Sequence, residues 1–493
     1  MYDCTKTISK RSKSMQKACF HAYFPIQTYG LCCFFPIFGQ QSIKTINHNM
    51  RKIALLLGTF LSAVSLQAKV YDVTTYGAVP DTTVLSTAAI QSAIDECSRS
   101  GGGVVNIPAG NYKIGTLVLK SHVNLHLELG ATLFGSTHLK DYRKLKSDYV
   151  SFRTQGETLQ LIYGDKVKDV EISGSGTIDG RGQWFPKLTM NDEGITRPHL
   201  LRFIQSQDIT VEGITLRNSG CWMQHYLACD RVKIRGLRIY NRNNHNNDAL
   251  DLDGCHEVVV SDLISDSEDD GITLKSTSPR LCENITVSNC IISSHCNAIK
   301  LGTETNGGFK NINIRGIVVK PSYNQEFQLV HQPIGSSGIS LEIVDGGKME
   351  NVIISDINIT GTRSPIFIRL GNRARGYYDG QVIDHVGSIK DVHLSNIIIR
   401  EAGPYGCSIT GLPGHPVEDI TLSNISMEQK GGQKKIPVPQ DEKEKNYPEA
   451  SMWGPLPAKG FFVRHAKNVK FKDITVKTEE PDERPDFVEV DVK

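Results

Sequence analysis

A short pattern recurs along the chain from Val170 onward: polar, polar, aliphatic, polar, aliphatic, polar, turn residue, aliphatic. It reads KDVEISGS, QDITVEGI, DRVKIRGL, HEVVVSDL, ENITVSNC, KNINIRGI, ENVIISDI, KDVHLSNI, EDITLSNI and KNVKFKDI. The first aliphatics are Val170, Ile209, Val232, Val258, Ile285, Ile312, Val352, Val392, Ile420 and Val469, spaced by 23–28 residues at the tightest and 39–49 elsewhere. A period in the twenties with alternating aliphatics gives one β-coil per repeat, lengthened in places by loops. Four residues further on stand Gly174, Gly213, Gly236, Asp262, Asn289, Gly316, Asp356, Asn396, Asn424 and Asp473. All ten are Gly, Asn or Asp, the types that tolerate φ > 0, so each coil is predicted to turn a left-handed corner there. Stacked coils need such a corner at one fixed phase, and ordinary sandwiches do not. The expected fold is therefore all-β: a right-handed parallel β-helix, or solenoid.

Composition agrees. With 39% hydrophobic and 22% charged residues the chain is neither disordered, nor collagen-like, nor a multi-span membrane protein. Aromatics at 7% and 44 glycines favour a turn-rich β protein over a helical bundle. Before the coils, Ala88–Ser100 places Ile90, Ile94 and Cys97 on one helical face, and Gly101-Gly102-Gly103 ends it. A short N-terminal helix there caps the open end of the apolar core. Cys229, Cys255 and Cys282 each lie three residues before a first aliphatic, a phase held elsewhere by Phe309, Met349, Ile389 and Val417. They read as stacked interior thiols, and no CxxC pair or HExxH motif points to a metal.

Met50-Arg51-Lys52, the apolar run Ile53–Val64 and Ser65-Leu66-Gln67-Ala68 have the form of a signal peptide, too short to span a bilayer. Residues 1–49 read as an upstream over-read or leader, 50–68 as the signal peptide, and 69–476 as a single β-helix domain. Within that domain 427–460 is expected to be a long loop insertion, and 477–493 an acidic, frayed C-terminal tail. The expected location is periplasmic or extracellular, with no membrane association after signal removal. Residues 1–68 hold eight Lys/Arg and one Asp, so their removal turns a net charge of +2 into −5. A mildly acidic exported chain has no general basic surface for nucleic acid.

A second segment follows most repeats: DALDL, DGITL, NAIKL, SGISL, SPIFI and YGCSI. In register these stack Asp248, Asp270, Asn297, Ser337, Ser364 and Tyr405 where the strand begins. They also stack Asp251, Thr273, Lys300, Ser340, Phe367 and Ser408 on its outward face. Rungs lie about 4.8 Å apart, so Asp248 and Asp270 become neighbours, with Asp269 beside them. Three acids that close resist ionising together, and at least one pKa should rise. General-acid hydrolysis of a glycosidic bond uses such a set, one carboxyl protonating the leaving oxygen while an ionised one activates water. Taken singly, each Asp is equally a turn former; the cluster of three is what points to catalysis.

Asn246-Asn247-Asp248 followed by Asp269-Asp270 resembles the NTD…DD pattern of glycoside hydrolase family 28, the polygalacturonases. The resemblance spans residues 70–476 and includes YDVTTYGAVPDTT, the GTIDGRGQWF segment at Gly176–Phe185, and Trp222 before His225. It implies Asp269 as general acid, Asp248 and Asp270 as activators of water, inversion at the anomeric carbon, and no metal or other cofactor. Asn246 joins these as a substrate-binding candidate.

Two departures stand out. The family's Gly-His-Gly becomes Ser294-His295-Cys296, where His295, one coil past Asp269, is either a catalytic partner or a structural turn histidine. The family's Arg-Ile-Lys becomes Ser340-Leu341-Glu342, losing both cations that would hold a uronate. Lys300 and Arg369 on neighbouring rungs are candidates to supply the missing charge, with Lys275 a weaker one. Lys300 serves equally to neutralise Asp251 or Glu342. Trp222 and Trp453 are open to stacking on sugar or to burial, and His225 is kept as a substrate-side candidate.

The expected activity is hydrolysis of α-galacturonosyl or related linkages in pectic polysaccharide or oligosaccharide, by a monomer. The alternatives are a rhamnogalacturonan-type linkage, a polysaccharide lyase, and a non-catalytic glycan-binding solenoid.

Overall fold

In the computed structural model, residues 69–187, 192–322 and 334–493 are described. The leader and signal-like segments, 1–49 and 50–68, lie outside the described residues.

The first aliphatics of the repeat become one continuous ladder. Ile209 pairs in parallel with Val232, Val232 with Val258, Val258 with Ile285, Ile285 with Ile312, and so on through Val352 and Val392 to Ile420. Each is at most 1% exposed. Every ladder between strands is parallel and joins a strand to its equivalent one coil later, so the chain forms a parallel β-helix whose core is the filled interior of the coils. The inward cysteines keep to the frame: Cys282 pairs with Phe309, and Phe309 with Met349. All eight described cysteines are free thiols. Cys229, Cys255 and Cys282 each donate weakly to a main-chain carbonyl, at 3.5, 3.1 and 3.3 Å.

All ten expected corner residues have positive φ, from 52° at Asn424 to 111° at Gly174. A Cβ at Gly174 would lie 2.0 Å from the Leu127 carbonyl oxygen, so this corner is closed to any other residue. The sequence pattern does not reveal a second left-handed ladder one residue before each first aliphatic: Asp169, Asp208, Arg231, Glu257, Asn284, Asn311, Asn351, Asp391, Asp419 and Asn468. Arg and Glu at two of these positions hide it. Side chains tie its rungs together, as where the Asn351 amide donates to Asn311 (3.1 Å) and Asn311 to Asn284 (2.9 Å).

The cap is the helix Thr87–Arg99, with Ile90, Ile94 and Cys97 buried over the first coil. Gly102 donates back to the Cys97 carbonyl at positive φ and ends it. Two boundaries need correction. The expected loop starts later than Met427, because Val417–Gly431 is one strand whose Met427 pairs with Val476. The C-terminal tail is not frayed: Lys470–Glu480 and Phe487–Val492 are strands that complete the last coil. Alternating valines in the FVEVDV run carry that pairing despite the acidic residues between them. No helix among the described residues is long and apolar enough to cross a membrane.

Candidate active site

The strand Leu250–Asp253 turns Leu250 and Leu252 inward and Asp251 and Asp253 outward. The next coils repeat the arrangement, so Asp251, Thr273, Lys300, Ser340, Phe367 and Ser408 pair rung by rung in the expected order. They face away from the coil interior yet are all buried, because long loops fold over this sheet. Where the strands begin, Ala249 donates to the Asp270 carbonyl (3.0 Å), and Gly271 to that of Asn297 (2.8 Å). That places Asp248 and Asp270 on neighbouring rungs.

Asp269 is fixed by its surroundings. Its carbonyl accepts from the Ser267 and Ser294 hydroxyls (3.0 and 2.6 Å). Its carboxylate accepts from the Asn246 amide (3.4 Å), whose own oxygen accepts from Arg197 (2.9 Å). Asp270 accepts from the Asn297 amide at 2.8 Å and from Lys300 Nζ at 3.0 Å.

These surroundings divide the acids electrostatically. Burial, then the neighbouring Asp270, pushes the Asp269 carboxyl up to about 6. Asp270 is equally buried, but Lys300 and Lys275 with the Asn297 amide outweigh that and hold it below the ordinary carboxylate value. Burial, then Asp251 and Asp269, drives Asp248 well upward, and burial takes Asp251 to about 8. Lys275 is shared among Asp248, Asp251 and Glu304 at 3.8, 3.5 and 3.7 Å. Of the three only Glu304 is driven well down, because Arg153 and Arg375 add their charge there. At pH 5 the free cleft thus holds one acid ready to give a proton beside one ready to take it.

The cleft encloses about 120 Å³, less than the roughly 300–1,000 Å³ typical of drug-sized ligand sites. A larger groove of about 600 Å³ runs along the corners past His126, Glu171, Glu212 and Arg235. It is more open, and none of the buried acids lines it, so the chemistry belongs to the smaller cleft. Its walls bring in residues that the sequence analysis missed: Arg153, Glu193, Glu304, Arg375 and Tyr447. Arg153 follows the buried Ser151 in a single 3-10 turn, and Tyr447 sits in the long loop. Only Glu304 carries a local signal. The strand Asn297–Thr305 bulges against Leu274–Ser276, and the extra residues bring Glu304 beside Lys275.

Of the expected site residues, Asn246, Asp248, Asp269, Asp270, Lys275 and Trp222 line the cleft together. The others lie elsewhere. Lys300 is beneath the floor, spent on Asp270 and on the Tyr447 hydroxyl (3.3 Å). Arg369 is 1% exposed; it donates to the Gly411 and Glu442 carbonyls and lies 5.1 Å from the Trp453 ring. It anchors the long loop rather than meeting substrate. His225 is fully buried against Asp253 at 3.2 Å. His295 meets the Arg242 guanidinium (2.8 Å to Nε2), and burial followed by that charge lowers it to about 4. No hydrogen bond joins it to the acidic trio among the described residues. Trp222 touches the cleft, but it is 2% exposed, with Arg153 and Lys275 at 4.3 and 4.6 Å from its ring, which leaves no open face for a sugar. Glu342, in place of the family cation, accepts from Ser340 and is raised by burial to about 7.

Asp269, Asp270 and Cys296 each offer one ligating atom within 4.8 Å of the others. Lys300 and Lys275 already compensate Asp270, and burial keeps the Cys296 thiol protonated. The trio is better suited to moving protons than to holding a cation.

A family model described as "Glycosyl hydrolases family 28" matches residues 97–445. A "Probable polygalacturonase" of Vitis vinifera is 27% identical over 415 residues, 78% of this chain and 80% of that one. An "Exo-poly-alpha-D-galacturonosidase" of Dickeya chrysanthemi is 37% identical over 169 residues, 32% of this chain and 27% of that one. Among solved structures, an exopolygalacturonase from Thermotoga maritima superposes with a TM-score of 0.65 at 20% identity, covering 83% of this chain and 92% of that one.

Proposed function

The chain belongs to glycosyl hydrolase family 28, and on that premise we propose that it hydrolyses α-galacturonosyl linkages of pectic glycans in the cleft above Asp269 and Asp270. The observation that carries this reading is the split between adjacent buried acids, one raised to about 6 and the other held low. Asp269 protonates the departing glycosidic oxygen as the bond to the anomeric carbon breaks. Asp270, kept ionised by Lys300, takes a proton from the water that attacks that carbon. Asp248 keeps its own proton in the free cleft and orients the water by hydrogen bonding rather than acting as a second base. Attack on the face opposite the leaving group inverts the anomeric configuration. Asn246 holds Asp269 in place through Arg197 and acts as a positioning residue.

The walls favour attack at chain ends. Tyr447 of the long loop lines the cleft, and its hydroxyl accepts from Thr303 (2.9 Å). On another side Gln155 donates to the Tyr377 carbonyl (2.7 Å), and Arg375 packs 3.9 Å from the Phe152 ring. Walls tied together in this way favour a terminal residue over the middle of a long polymer. Export, with residues 50–68 acting as signal peptide, and a monomeric state belong to the same proposal.

The test is reducing-sugar release from polygalacturonate and from rhamnogalacturonan, by the wild type and by Asp269→Asn. Monomer release from polygalacturonate that vanishes in the variant is the expected result. Release from rhamnogalacturonan alone would reassign the linkage. An unsaturated, ultraviolet-absorbing product would make the protein a lyase. Binding without turnover would make it a glycan-binding solenoid.

A further inference from the structure

Ser340 and Glu342 stand where the family places cations, so a uronate carboxylate entering this cleft must be met by charge from somewhere else. Most cations in and beneath the cleft are committed, Arg373 to Asp345 among them. Lys300 is bonded to Asp270 below the floor, and Arg369 is buried on the carbonyls of Gly411 and Glu442. Lys275 is 5% exposed and shared among three carboxyls. Arg153 is 12% exposed and spans Glu157, Glu193 and Glu304 at 3.3, 3.7 and 3.1 Å.

Arg375 differs from all of them. It lines the cleft from the loop 371–387, and its side chain keeps 31% of its surface exposed. One guanidinium nitrogen donates to Glu304 at 2.7 Å; no other hydrogen bond leaves the guanidinium among the described residues. The Phe152 ring lies 3.9 Å from it, and its main-chain N–H and carbonyl are tied to Asp345 and Asn306 at 3.0 and 2.8 Å. The group is therefore held in position from behind while two of its nitrogens stay available, the arrangement that suits forked recognition of a planar carboxylate.

We propose that Arg375 recognises the carboxylate of the uronic acid residue bound in the cleft and sets specificity for the free acid over its neutral ester. This inference rests on the hydrolase reading above. A charge-assisted pair in a partly closed site implies about a tenfold or larger effect.

Two measurements test it. In the active enzyme, Arg375→Gln should raise KM for trigalacturonate about tenfold or more and change kcat far less. For the methyl-esterified trisaccharide KM should move less than about twofold, and Arg375→Lys should recover part of the loss. In the Asp269→Asn background, titration of the same two ligands should give the same pattern in Kd with no turnover. Glu304 keeps Arg153 and Lys275 in the Gln variant, so the cleft stays assembled. Equal losses on acid and ester, or no change on the acid, would overturn the assignment. Charge-selective binding that depends on Arg375, with no hydrolysis by the wild type, would uphold it while removing the hydrolase reading.

Discussion

At the corners of the coils, ten residues from Gly174 to Asp473 share a positive φ, and side chains link neighbouring rungs, as where Asn424 donates to Asn396 and Asn396 to Asp356. In the cleft, Glu304 meets Arg153 from 151 residues away and Arg375 from 71 residues away. Corner geometry is local and repeated, so losing one member leaves its neighbours in place. The cleft assembles single residues from different loops, and each contact occurs once. Stability is therefore distributed along the corners, while function is concentrated where the repeat is interrupted.

Substitutions on the two sides separate these roles. The largest effect belongs to the cleft: Asp269→Asn should lower kcat/KM by about a thousandfold, within the usual range for general acid–base groups, and leave the melting temperature almost unchanged. Next, Glu304→Gln removes the shared partner of three cations and should cost about 3–5 kcal/mol of stability together with most of the activity. Its counterpart at a corner, Asn289→Val, forces a β-branched residue to φ 57° at an exposed position. That should cost about 1–2 kcal/mol with kcat/KM unchanged. Chemical denaturation and steady-state kinetics on the same preparations check both. If Asn289→Val lost activity in proportion to stability, the separation would fail.

A smaller effect concerns the floor. Lys300 helps to hold the Asp270 carboxyl low, so Lys300→Met should let it rise. Because Asp270 must be ionised to take a proton, the acidic limb of the kcat/KM profile should then move to higher pH. An unmoved limb would show that Lys275 and Asn297 suffice.

The difference between the two regions also explains what was legible in the sequence. Interior aliphatics and corner residues recur at fixed phase, so the coil, its register and the meeting of Asp248, Asp269 and Asp270 all follow from counting. The second corner ladder escaped because Arg231 and Glu257 are not turn-formers by type, yet both stand at positive φ. Arg153, Arg375 and Tyr447 escaped because no period relates them to the strands. Lys300 and Arg369 were placed on the right rungs, but whether a buried cation faces a ligand or a neighbouring acid depends on loops that counting cannot fold. The acidic C-terminal segment misled for a related reason: its charge suggested a tail, while its alternating valines pair with Phe461–Lys467.

The central claim is that adjacent acids hold opposite protonation states at the same pH. The most direct measurement is the pH dependence of kcat/KM on trigalacturonate from pH 3 to 9. Asp269 works only while protonated, so activity should fall as pH rises through about 6. Asp270 works only while ionised, so activity should also fall below the ordinary carboxylate range. The residual rate of Asp269→Asn should lack the basic limb and keep the acidic one. A basic limb that persists in Asp269→Asn, or wild-type activity that keeps rising through pH 8, would contradict the assignment of Asp269 as the proton donor.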